Sequence, residues 1–399
     1  METSAEGPLA GIRVLDLTSV VVGPTATLTL AQQGAEVIKL EPPEGDLLRK
    51  LGGAARSPGM APKFLHFNRG KRSIVVDLKS PEGRAVAQRL AGSVDVVIAN
   101  IRPAALARLG LAWADLQPLH PRLVHCQITG FGSGGRYADL PAYDTIIQGA
   151  SGMAACMARV FGEPHFMPFV IADHMVGFLA AQAICAALVA RARTGRGQAI
   201  EVPMFENMVH FVLSEHMNQR TYGPEGAMGD PRIMDPSGRP VRTADGYICV
   251  SPNTDAQAFG FFAAIGRPEL RDDPRFCSVA ARLGNVAAYF ALRAEALAAR
   301  PTAEWLELLR AHQVPAMQVN TLDDLFTDPH LADVGLIETQ QHHSEGEVLA
   351  LRAATKFSDG EAAMRDAPRA GEDGPAILAE LGYSAADIAA LLGHAVLVP

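Results

Sequence analysis

Residues 11–43 read GIRVLDLTSVVVGPTATLTLAQQGAEVIKLEPP. The β-branched and leucine-rich runs at Arg13–Leu17 and residues 36–40 predict two short strands, and the stretch between them, marked by a Gly-Pro pair, predicts a turn followed by a helix. Strand, helix and strand make an α/β unit, whose strands lie parallel because the helix carries the chain back along one face of the sheet. The pattern recurs. RSIVVDL (72–78) precedes PEGRAVAQRLAGS (81–93), a helix with proline at its start, and VDVVIAN (94–100) and PRLVHCQITGFG (121–132) follow. The predicted fold class is α/β, with a Rossmann-like large domain built on a doubly wound parallel sheet.

Further along, residues 172–193 predict a strong helix entered near Asp173 and stopped at TGRGQ, where glycine supplies a cap; residues 200–220 predict a strand leading into another helix. The segment 222–240 (YGPEGAMGDPRIMDPSGRP) is dense in Gly, Pro and Asp and predicts a linker or active-site loop. Beyond it, one strand and several Ala/Leu/Arg-rich helices predict a smaller α+β domain. The tail holds a hairpin-like HHSEGEVLALRA (342–353) and a terminal helix at 376–392. The expected organisation is a large domain over 1–221, a linker and small domain over 222–335, and a segment over 336–399 that returns to the large domain.

Composition narrows the function. The 399 residues are 48% hydrophobic and only 20% charged, which excludes a disordered chain. Lys and Arg number 35 against 43 Asp and Glu, a net charge of −8, so neither nucleic acid nor an anionic membrane is an expected partner. Any anionic ligand has to be met by local cations. The five cysteines are scattered among apolar residues, which suggests reduced core thiols and a cytoplasmic protein. The longest apolar stretch, 175–190, is shorter than the roughly 20 residues that span a bilayer and predicts a buried helix.

No dinucleotide fingerprint, P-loop or HExxH pattern occurs, and His342 and His343 sit in a polar segment, so no metal site is expected. Asp173 stands where an apolar run enters an apolar helix: it suits a helix N-cap, and equally a nucleophile or base held ionised by the helix N-terminus. Asp144, beside Tyr143 in PAYDTIIQGASGM, is a second carboxylate of this kind. The cluster NRGKRS (68–73), with Arg102 and Arg108, reads either as solvated turns or as a grip on phosphates.

Six ordered motifs carry a resemblance: residues 11–46, 68–79, 95–111, 128–135, 142–153 and 172–206, with shorter matches at TADGYI, DPRF, EW and DPHL. Together they resemble the class III CoA-transferases, a family that includes formyl-CoA transferases, carnitine CoA-transferases and α-methylacyl-CoA racemases. The resemblance implies an interlocked homodimer, acyl-CoA and a small carboxylic acid as substrates, and no tightly bound cofactor. It implies that Asp173 is the catalytic aspartate, with Asp144 and Tyr143 as active-site support. It also implies that the turn at Val20, Val21 and Val22, with Lys71, Arg108, Met204 and the adjacent Arg102, lines the CoA site.

Two departures matter. The loop GPEGAMGDPR lacks the consecutive glycines of formyl-CoA transferases, and Val21 stands where they carry glutamine. Tyr143 occupies the position at which racemases place a histidine base. The expected reaction moves CoA from a donor thioester, with a lean towards succinyl-CoA, through an aspartyl anhydride and an aspartyl-CoA thioester. Backbone amides at the start of the Asp173 helix or in the 222–240 loop are the expected oxyanion donors. A racemase, or a CoA-binding subunit without activity, is the alternative. The groups that select the acid are sought among His165, His174, Arg232, Arg239 and Arg242.

Overall fold

The computed structural model describes residues 7–360 and 362–398. Six parallel strands, β1 (Arg13–Leu17), β2 (Glu36–Glu41), β3 (Lys71–Val76), β4 (Val96–Ala99), β5 (Val124–Thr129) and β6 (Gln198–Pro203), form one sheet in the order β3-β2-β1-β4-β5-β6. Far along the chain, Leu397–Val398 adds an antiparallel edge strand beside β3. The order reverses between β1 and β4. In such sheets the crevice at the carboxyl ends of the strands flanking the reversal is where ligands bind, so the residues after β1 and β4 mark the place.

Helices α1 (Val22–Gln32), α2 (Pro62–Phe67), α3 (Pro81–Ala91), α4 (Pro103–Arg108), α5 (Trp113–Leu116), α6 (Asp144–Ala150), α7 (Met153–Phe161), α8 (Ile171–Thr194) and α9 (Met204–His216) follow in chain order. Leu15 and Leu17 of β1 face the core that holds Val86 and Leu90 of α3 and Leu106 of α4. The alternate residue Asp16 faces the other way, because side chains on a strand alternate between faces. The Gly-Pro pair is not the turn expected from sequence. Gly23 and Pro24 lie in the first turn of α1, where proline costs little, and the chain turns earlier, over residues 18–21.

Helix α8 ends where expected. Gly195 adopts φ 73° and returns its N–H to the Arg191 carbonyl at 2.8 Å. At 24 residues α8 is longer than the apolar run in the sequence and is long and apolar enough to cross a membrane by length and composition. It is buried along one face only. Val176, Gly177, Ala180, Ala181 and Ile184 are buried, whereas Phe178 and Val189 are exposed. A Cβ on Gly177 would come within 2.6 Å of the Val22 carbonyl oxygen, so this glycine lets α8 approach α1 closely.

The chain divides into two compact units: Met1–Ser151 with Met167–His210 and Gly335–Pro399, and Gly152–Phe166 with Phe211–Val334. Residues 152–166 and 211–221 therefore fall in the second unit, where the sequence placed them in the large domain. The second unit packs Phe261, Phe262, Leu297 and Trp305 over a three-stranded sheet, β7 (Val241–Arg242), β8 (Tyr247–Val250) and β9 (Ala316–Gln318). In its 222–240 segment, Gly229 donates to the His216 carbonyl at 2.7 Å, and the Met228 carbonyl accepts from Arg159 at 3.0 Å.

The tail forms a hairpin, β10 (Ile337–His342) and β11 (Gly346–Leu351); the segment expected to be hairpin-like, 342–353, supplies its turn and second strand, and the first strand lies before it. The single terminal helix is in fact two, Gly374–Glu380 and Ala385–Gly393, separated by Gly382 at φ 81°. All five cysteines are free, but Cys249 and Cys277 are exposed rather than in a core.

Candidate active site

Asp173 is the third residue of α8, not its N-cap; that position belongs to Val170, which has no capping side chain. The cap comes from elsewhere in the sequence. Asp144, the first residue of α6, accepts the N–H groups of Ala172 and Asp173 on Oδ1 at 2.8 and 3.2 Å. Gln148, one turn on, donates its amide to Asp144 Oδ2 at 2.7 Å and to the Phe169 carbonyl at 3.0 Å, and accepts the Met167 N–H at 2.9 Å. The start of α8 is thus fixed by two side chains of α6.

This arrangement changes two expectations. The amides of Ala172 and Asp173 are already engaged by Asp144 and are not free oxyanion donors. Nor does the helix N-terminus keep Asp173 readily ionised. Its side chain is only 8% exposed, and burial, reinforced by the nearby Asp144 charge, raises its carboxyl to about 7.

The turn after β1 is held with equal definition. The Ser19 amide is matched by Asn100, which accepts its N–H at 3.1 Å and donates to its carbonyl at 2.9 Å; Val20 donates to Asp46 at 3.1 Å. Val20 has φ 68°, a conformation that costs a β-branched residue roughly 1–3 kcal/mol and persists only where the surroundings over-determine it. Beneath lies a buried charge network. Lys39 pairs with Asp46 at 2.8 Å and donates to the Thr18 carbonyl at 2.8 Å, while Asp16 accepts from Thr18, Thr27 and Lys71. Burial alone would raise Asp16, but Lys71, Lys39 and the two threonines hold it at about 2.

Lys71 is therefore not a phosphate ligand here. It is fully buried at the amino end of β3, with Nζ 3.2 Å from Asp16 and 2.8 Å from Asn68 Oδ1. Burial lowers its ammonium to about 8 against the pull of Asp16. Arg102 and Arg108 lie instead at the two ends of α4, beyond the carboxyl end of β4, and both are exposed. Val20 is half-buried, Val21 and Val22 are buried at the entry to α1, and Met204 is buried at the first turn of α9, directly after β6. Tyr143 is exposed and contributes its backbone at the N-cap of α6.

A cleft of about 460 Å³ brings together Val21, Lys63, Phe67, Asp144, Gln148 and His174, with residues 167–170 completing its wall. His174 follows Asp173 and stacks near Phe67, with ring centroids 5.5 Å apart. Burial lowers its imidazole, against the pull of Asp144 and with a smaller push from Lys63. Lys63, Phe67 and Gln148 carried no signal in the sequence, since nothing local ties α2 to α6. Of the residues considered for acid selection, only His174 belongs to this cleft. His165, Arg232, Arg239 and Arg242 lie in the second unit.

A buried carboxylate whose acid is raised to about 7, next in the chain to a residue lining a cleft close to the reversal point of a doubly wound sheet, has the features of an active site in an α/β enzyme. The profile of CoA-transferase family III matches residues 9–374; the chain belongs to that family and is a class III CoA-transferase. It is 33% identical to a succinate–glutarate CoA-transferase of Agrobacterium fabrum, over 94% of this chain and 96% of that one. It is 32% identical to a formyl-CoA:oxalate CoA-transferase of Streptomyces avermitilis, over 98% and 99%. Among solved structures, a CAIB/BAIF family protein from Brucella suis superposes with TM-score 0.77 at 35% identity, covering 94% of this chain and all of that one. Rv3272 from Mycobacterium tuberculosis superposes with TM-score 0.80 at 31% identity, covering 93% and 99%.

Proposed function

We propose that this enzyme moves CoA from an acyl-CoA donor, succinyl-CoA in the first instance, to a small dicarboxylic acid, with Asp173 as the nucleophile. The Asp173 carboxylate attacks the thioester carbonyl, forming an acyl-aspartyl anhydride and releasing CoA thiolate. The thiolate attacks the aspartyl carbonyl, giving an aspartyl-CoA thioester and freeing the donor acid as its carboxylate. The acceptor carboxylate attacks that thioester, and the thiolate it expels then attacks the acyl carbonyl of the new mixed anhydride, which regenerates Asp173. Each step exchanges one acyl bond for another, so no external energy source is needed.

The placement of Asp173 carries this reading. A desolvated carboxylate whose acid lies near 7 is more basic, and hence more nucleophilic, than a solvated one, while half of it is still ionised at neutral pH. Asp144 is poorly suited to the proton exchange of a racemase, because both its oxygens already accept hydrogen bonds. Lys63 and His174 are the polar groups on the cleft wall suited to the distal carboxylate of the acid. The names of the relatives, with succinate, glutarate and oxalate, support a dicarboxylate.

For CoA itself we assign Val20, Val21 and Val22 at the turn, Arg102 and Arg108 on α4 and Met204 on α9. The exposed apolar side chains Phe178 and Val189 on α8 favour a homodimer, and five free thiols favour a cytoplasmic enzyme. Incubation with succinyl-CoA and glutarate, rapid acid quench and peptide mapping should find a succinyl or CoA adduct on Asp173. Full turnover with Asp173 never modified would overturn the covalent route.

A further inference from the structure

The wall of the cleft that holds Lys63 and His174 is built on α1, α2, α6 and α8 or on their caps, except for Met167, Pro168 and Phe169, which lie in the irregular chain before α8. A helix keeps its shape through its own backbone bonds, whereas an irregular stretch needs partners from elsewhere. Among the described residues, the backbone of 167–169 makes two hydrogen bonds, and both go to the side chain of Gln148. Its Oε1 accepts the Met167 N–H at 2.9 Å, and its Nε2 donates to the Phe169 carbonyl at 3.0 Å. Packing adds little to this hold, because Phe169 is 64% exposed and Pro168 is exposed as well.

Gln148 is itself firmly placed. It is buried on α6, and the other N–H of its amide goes to Asp144 Oδ2 at 2.7 Å. A backbone N–H can only donate and a carbonyl can only accept, so Met167 and Phe169 give the amide a single orientation. Asp144 in turn accepts the Ala172 and Asp173 amides. One buried side chain thus ties the irregular wall to the carboxylate that caps the helix carrying Asp173. Without its two bonds, the backbone groups of Met167 and Phe169 are left to water and the wall is free to move.

We infer that Gln148 is a positioning residue that sets acid specificity: by pinning Met167 and Phe169 it fixes the width of the cleft, and with it the length of acid that fits. The inference rests on the assignment of this cleft to the acid made above. The test measures kcat and KM of the full-length enzyme with succinyl-CoA as donor and two series of acceptors, glutarate, adipate and pimelate, and butyrate, pentanoate and hexanoate. The wild type should prefer its best acid over the nearest neighbour in the same series by about tenfold or more in kcat/KM. In Gln148→Met that ratio should fall to within about threefold, with KM for the best acid rising by more than kcat falls. A merely destabilised enzyme would lose rate on every acid in the same proportion. Wild-type discrimination retained by folded Gln148→Met, or a wild type with no preference of length, would overturn the inference. A best acid among the monocarboxylates would overturn the dicarboxylate reading instead and leave the comparison of lengths intact. Hydrogen exchange of the wild type needs no variant: the Met167 amide should exchange about tenfold more slowly than that of Phe169, and equal exchange would show that Gln148 does not hold the wall.

Discussion

Asp144 and Asp173 are joined by a hydrogen bond in which one carboxylate accepts the backbone N–H of the other residue at 3.2 Å. The same oxygen accepts the Ala172 N–H, so Asp144 both caps the helix that carries Asp173 and sets a negative charge beside its carboxyl. Position and ionisation of Asp173 are therefore coupled through one side chain.

Asp144→Asn keeps an acceptor for the two amides and removes the charge. The acid limb of kcat/KM, expected near pH 7 in the wild-type enzyme, should move to lower pH, because only burial then opposes ionisation of Asp173. Asp144→Ala removes the acceptor too, and should cost about 1–2 kcal/mol of stability in urea denaturation. An unmoved acid limb in Asp144→Asn would separate the two residues electrostatically.

Asp173→Asn should abolish transfer and yet stabilise the fold at alkaline pH. The folded-state value near 7 exceeds the unfolded value near 3.8, so the stability contributed by the protonated form is complete below about pH 4 and is lost as pH rises through 7. The variant should match the wild type at pH 4 and exceed it by roughly 3–4 kcal/mol above pH 7. Urea denaturation at four or five pH values measures the divergence.

Lys71→Met tests a residue that resembles a CoA ligand and lies buried as a structural ion. It strips Asp16 of its nearest cation and should destabilise the protein by about 3 kcal/mol, with part of the loss recovered in the Lys71→Met, Asp16→Asn double variant. The KM for acyl-CoA in the folded enzyme should stay within about twofold of wild type, since 0.4 kcal/mol is the most such a change represents. Calorimetry and steady-state kinetics read the two effects separately.

Arg102→Ala and Arg108→Ala should behave in the opposite sense. Both side chains are exposed, so thermal stability should be unchanged, while the KM for acyl-CoA rises about five- to tenfold, as loss of an exposed phosphate contact worth about 1–1.4 kcal/mol predicts. Salt should raise the wild-type KM and narrow the difference.

The sequence by itself determined the strand-helix grammar, the parallel sheet and the helix stop at Gly195, because these follow from side-chain periodicity and from backbone freedom at single positions. It also picked out Asp173 and Asp144, through the oddity of a carboxylate at the mouth of an apolar helix. What each residue does there was decided by tertiary structure. Lys71 and Arg108 are alike as letters, yet one faces Asp16 beneath α1 and the other faces solvent beyond β4, since strand register and sheet order set which charges lose their water. The protonation of Asp173 has the same origin. Its shift comes from burial and from a carboxylate 29 positions away, and both exist only once α6 and α8 have packed together.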